Sequence, residues 1–122
     1  MEKQKIQSYQ DLVVWQKAKD LVVYVYKITN TFPKSETFGI TSQIRRATVS
    51  IPSNIAEGFR RGSQKEKVQF LRTAYGSGAE VETQLIISKE LGYINETDYK
   101  KLYRILDEVM RMLNKIVNNF LK

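Results

Sequence analysis

The chain has 122 residues, a formal net charge of +7, 42% hydrophobic residues, no cysteine and no histidine. That length and composition describe one soluble domain with one core. The missing residue types exclude disulfide frameworks, thiolate or imidazole metal sites, serine–histidine triads and imidazole acid–base chemistry. Residues 1–7 lack an apolar signal core and no apolar run reaches membrane-spanning length, so a cytoplasmic location and no membrane partner are expected.

Residues 1–8 read as a polar N-terminal tail and 9–122 as a single helical domain. The first helix is predicted over residues 9–31, with Ser8 as N-cap and Pro33 marking the exit. Val14, Ala18, Leu21, Val25, Ile28 and Phe32 alternate steps of four and three, which is the seam of a bundle helix. Leu12, Trp15, Val23 and Tyr26 lie off that seam and widen the apolar surface beyond what one core needs. They are the expected oligomer interface.

The second helix is predicted from about Ser35 or Thr37 to Arg61, with Gly62 as a left-handed cap. Ile40, Ile44, Ala47, Ile51, Ile55 and Gly58 keep one face apolar on both sides of Pro52, so the helix should continue through the proline and kink there. A polar stripe of Gln43, Arg46, Ser50, Asn54, Glu57 and Arg61 runs beside that face. A buried hydrogen-bond network is expected from it, with Arg46 paired to Glu82 of the third helix, because buried charges persist only when paired.

Ser63 and Glu66 form a capping box that opens the third helix, which follows Leu71, Ala74, Gly78, Val81 and Leu85 to about Leu91. Gly76-Ser77-Gly78 lacks the following Lys-Ser/Thr and the preceding strand of a phosphate loop, so its small residues are read as a close helix crossing. Asn95 and Asp98 open the fourth helix. Its stripe is Tyr99, Leu102, Leu106, Val109, Leu113, Ile116 and Phe120, widened by Tyr103, Met110 and Val117. Four helices of about 20–28 residues, roughly 30–40 Å each, make an all-α, up-and-down antiparallel four-helix bundle with helix 2 kinked at Pro52.

Charge is concentrated between residues 45 and 72, where Arg45, Arg46, Arg60, Arg61, Lys65, Lys67 and Arg72 face only Glu57 and Glu66. Clustered cations attract phosphate backbones by counterion release, so these seven are the candidate nucleic-acid contacts. Aromatics interleave little with them beyond Phe59 and Phe70, which favours backbone or shape recognition over base reading. Glu57, Glu80 and Glu82 lack the Glu-x-x-His motifs of bundle metal sites, and neither a metal nor a cofactor is expected. Arg46, Asn54 and Glu57 supply no nucleophile–base pair, so no enzyme activity is expected.

Three segments carry a family resemblance: Tyr9-Gln10-Asp11-Leu12-Val13-Val14-Trp15-Gln16-Lys17-Ala18, Ser50-Ile51-Pro52-Ser53-Asn54-Ile55-Ala56-Glu57-Gly58, and Phe70-Leu71 through Ala74-Tyr75-Gly76-Ser77 to Glu80-Val81-Glu82-Thr83-Gln84-Leu85. Together they resemble the bacterial four-helix-bundle proteins of the 23S rRNA intervening-sequence family. The resemblance implies a ring, a homo-pentamer, with no enzyme activity. A related bundle, the accessory protein of diversity-generating retroelements, forms a basic ring that binds a reverse transcriptase and nucleic acid. The expected function is non-catalytic, oligomeric binding of rRNA or other nucleic acid. The alternative is a scaffold that binds another protein through helix 1.

Overall fold

Each helix begins where a side chain caps it or where the chain is forced out of helical geometry. The computed structural model describes residues 6–121; the first five residues of the expected tail, and residue 122 of the expected domain, lie outside the described residues. Ser8 caps as expected, its hydroxyl accepting from the Gln10 amide while Asp11 returns the bond to the Ser8 amide. What it caps is a single 3₁₀ turn, Tyr9–Asp11. Leu12 is extended, and α1 proper runs over Val13–Thr29. The helix expected from residue 9 is thus two elements, because spacing alone does not separate a 3₁₀ turn from an α-helix.

After Pro33 a second 3₁₀ turn, Lys34–Glu36, precedes α2, which spans Ile40–Arg60 and therefore starts later than expected. It is one continuous α-helix with the buried Pro52 inside it. Gly62 is not the left-handed cap: Arg61 leaves the helix extended, and the positive-φ glycine is Gly92, past the end of α3. α3 covers Gln64–Glu90 and α4 covers Glu96–Phe120. Ser63 caps α3 through the Glu66 amide and Asn95 caps α4 through the Asp98 amide. The reciprocal half of the expected capping box is absent, because the Glu66 carboxylate turns toward Arg61 instead.

Contacts join α1 to α2, α2 to α3, α3 to α4 and α4 back to α1, with no diagonal pair, which is the closed square of an up-and-down bundle. The core is built from the stripes read in the sequence: Val14, Ala18, Leu21 and Val25 face Ile44, Ile51 and Ile55, Val81 and Leu85, and Leu102, Leu106, Val109 and Leu113. α2 and α3 are the most extensively paired helices. At Gly58 an added Cβ would lie 3.1 Å from Phe70 Cβ and 3.3 Å from the Lys67 carbonyl, so the absence of a side chain sets how closely these helices approach. At Gly78 the Met110 side chain of α4 occupies the space that a Cβ would take.

One end of the bundle holds the α1–α2 and α3–α4 connections. There Phe32 packs on Tyr93, ring centroids 5.4 Å apart, and the Tyr93 hydroxyl donates to Glu36 Oε2 at 2.9 Å. That hydrogen bond to a carboxylate, then burial and the carboxylate's charge, raise the Tyr93 pKa above its ordinary value. The opposite end holds the α2–α3 corner, the start of α1 and the end of α4. No described helix is long and apolar enough to cross a membrane.

Candidate nucleic-acid interface

The seven cations named from the sequence do not form one patch. Arg45 and Arg60 are fifteen residues apart on one helix, about 22 Å along its axis. Arg45 is turned back onto α1. Its Nε donates to the Thr29 hydroxyl at 2.8 Å, its terminal nitrogen to Asn30 Oδ1 at 3.1 Å, and its guanidinium lies 4.6 Å from the Tyr26 ring centroid. Arg45 therefore serves the end of α1, where a cation is favoured by orphan carbonyls and the macrodipole, and two of its three guanidinium nitrogens are already engaged. Arg46 beside it is exposed and has no ion pair among the described residues.

At the far end the α2–α3 corner gathers the remainder. Lys67 is likewise a cap, its ammonium donating to the Phe59 carbonyl at the end of α2 at 2.9 Å and lying 5.6 Å from the Phe59 ring centroid. Arg61 lies over the Phe70 ring and takes both local carboxylates, Glu57 at 3.1 Å and Glu66 at 3.9 Å. Arg60 reaches the other way, 5.6 Å from the Tyr9 ring centroid. Lys65 and Arg72 are exposed on α3 and flank a groove between α3 and the end of α4. Among the described residues Arg60, Lys65 and Arg72 have no carboxylate partner, so the corner keeps an uncompensated positive rim.

The expected polar network does not assemble as a unit. Ser50 and Asn54 are joined, Asn54 Nδ2 donating to the Ser50 carbonyl at 2.8 Å and its hydroxyl oxygen at 2.9 Å, and the Ser50 hydroxyl meets Ser77 of α3 at 2.8 Å. Gln43 and Arg46 point to solvent, Glu57 is committed to Arg61, and no Arg46–Glu82 ion pair forms among the described residues. The stripe lies one residue step too far from the core for its long side chains to be buried. Ser77 is the member that sequence reading passed over, hidden between two glycines read only as packing. Farther along the α2–α3 seam, Thr41, Gln84 and Ser88 bury side-chain oxygens without a partner among the described residues.

The residues named as the oligomer interface divide into two kinds. Leu12 and Trp15 pack against the protomer's own core, Trp15 edge-on to Tyr9 with ring centroids 5.3 Å apart. Val23 and Tyr26 are exposed, and Val23 joins Trp15, Val49 and Pro52 along a shallow α1–α2 groove of about 300 Å³. No group of three or more carboxylates that could hold a metal occurs among the described residues.

The family model described as the 23S rRNA-intervening sequence protein matches residues 10–115. The chain belongs to that family. A crystal structure of a Bacteroides thetaiotaomicron protein of unknown function, from the S23 ribosomal protein family, is similar to this chain. The two share 25% identity with a TM-score of 0.78, and the likeness covers 86% of this chain and 98% of the other. No curated protein matches. The matched span includes the basic segment 45–72 and α2 with its proline.

Proposed function

We propose that this protein is a non-catalytic, cytoplasmic RNA-binding protein that holds phosphate backbones through Arg60, Lys65 and Arg72 and repeats that rim in a homo-oligomer. The observation that carries the reading is the division of charge at the α2–α3 corner. Arg61 engages both carboxylates, Glu57 and Glu66, and so leaves its three cationic neighbours uncompensated. A family described by reference to 23S rRNA agrees with an RNA ligand. The test is an electrophoretic-mobility titration of the protein with a structured rRNA fragment and an unrelated RNA, at low and near-physiological salt. Binding that weakens steeply with salt supports the reading; no shift with either RNA contradicts it.

A second reading is favoured by the exposed Val23 and Tyr26 on α1: a scaffold that assembles through the α1–α2 face, with the basic corner incidental. Val23→Asp then lowers the oligomer mass while the protomer stays helical. The same variant that assembles normally and loses RNA binding would speak against this alternative.

A further inference from the structure

We propose that the groove between the start of α3 and the last turn of α4 seats unpaired nucleotides, with a base stacked on Phe120 and the flanking phosphates held by Lys65 and Arg72. This deepens the RNA-binding reading and rests on it. The groove is shallow and open to solvent, with a volume of about 830 Å³, room for an exposed base and its flanking phosphates. Its charged lining residues, Lys65 and Arg72, are both positive and stand seven residues apart on one helix, about 10 Å along the axis. Between them lie Val68 and Gln69, and Phe120 faces them from α4.

That combination suits a single strand better than a duplex. A base must be splayed out to lie on an aromatic face, whereas a paired A-form helix presents backbone and shallow edges. Gln69 offers its side-chain amide to a base edge, and Thr73, whose hydroxyl donates to the Gln69 carbonyl, offers an acceptor oxygen. The carbonyl end of α4 would repel a phosphate, but the Gln64 side-chain amide donates to the Phe120 carbonyl and covers it. An acidic peptide would satisfy the two cations and leave Phe120 without a stacking partner. Unpaired RNA satisfies both.

The test compares full-length protein and its Phe120→Leu variant by fluorescence anisotropy. The probes are a single-stranded RNA carrying 2-aminopurine, the same sequence as a duplex, and polyglutamate. Leucine keeps the site and the adjoining core contact apolar while removing the aromatic face, and an unchanged melting temperature checks that the core contact survives. The expected result is tighter binding of the single strand than of the duplex, with 2-aminopurine quenched on binding. Phe120→Leu then weakens the single strand about tenfold and restores its fluorescence, with the duplex unchanged. Thr73→Glu, an exposed position that leaves the core alone, weakens the single strand as well. If duplex and single strand bind alike, or polyglutamate binds as well as either, and Phe120→Leu changes none of them, the groove assignment falls while the phosphate contacts stand. If no RNA binds at all, both fall.

Discussion

Arg45 and Thr29 meet across 2.8 Å, the guanidinium donating to the hydroxyl of the last residue of α1. The Thr29 hydroxyl in turn donates to the Val25 carbonyl at 2.7 Å, so a side chain from α2 closes the end of its neighbour through a buried relay. Lys67 does the same for α2 from α3 at the opposite end of the bundle. Two of the seven cations in the basic segment are therefore fold-forming, and charge-assisted bonds of this kind contribute about 1.5–3 kcal/mol each.

Arg45→Ala should accordingly lower the stability of the protein by about 1–2 kcal/mol in chemical denaturation and leave RNA affinity within twofold of the parent. Arg72→Ala should show the reverse. Arg45→Lys should recover only part of the loss, because an ammonium cannot span Thr29 and Asn30 as the planar fork does.

The glycines of α2 and α3 should separate cleanly on substitution. Gly76 has nothing within 4 Å of an added Cβ, so Gly76→Ala should stabilise by up to about 1 kcal/mol through helix propensity. Gly58→Ala brings the same propensity gain but pushes on the Phe70 Cβ and the Lys67 backbone, and α2 and α3 must part by a few tenths of an ångström. Its net effect should be destabilising, read as a lower denaturation midpoint at unchanged slope.

Ser88 buries a hydroxyl with no partner among the described residues. Ser88→Ala should therefore stabilise by about 1 kcal/mol, since an unsatisfied buried polar group costs about 1–3 kcal/mol. Ser50→Ala should do the opposite, because it strips partners from Ser77 and Asn54. Thermal melts of the two variants test the pair.

Tyr93 gives the fold a pH dependence in the alkaline range. Its phenol pKa is raised by donation to Glu36, so the bond contributes fully below the ordinary tyrosine value of 10.0 and is lost as pH rises through the higher folded-state value. Absorbance titration of tyrosinate should show one residue ionising late, absent in Tyr93→Phe and shifted down in Glu36→Gln.

The bundle itself was legible because burial imposes a period. Leu102, Leu106, Val109 and Leu113 follow the spacing of a helix with one buried face, and all four are buried. The helix starts were less legible: Tyr9–Asp11 and Lys34–Glu36 carry the same local signals whether the turn that follows is 3₁₀ or α. The candidate site was legible as composition and not as arrangement. Arg45, Lys67 and Arg61 read alike as basic residues, yet their long side chains are claimed by a helix end sixteen residues away, by another eight residues away, and by two carboxylates. Nor did the sequence separate the core role of Phe120 from its place in the α3–α4 groove, since a residue at the end of a helix can face both.

The most direct test of the account is the salt dependence of RNA affinity for the parent protein and for Arg60→Gln/Lys65→Gln/Arg72→Gln. Each phosphate contact contributes about 0.7–0.9 to the slope of log affinity against log salt, so three contacts in each engaged protomer give about 2–3. The triple variant should flatten the slope by at least that much and bind weakly at every salt concentration. An unchanged slope would show that RNA is held elsewhere and contradict the assignment of function to this corner.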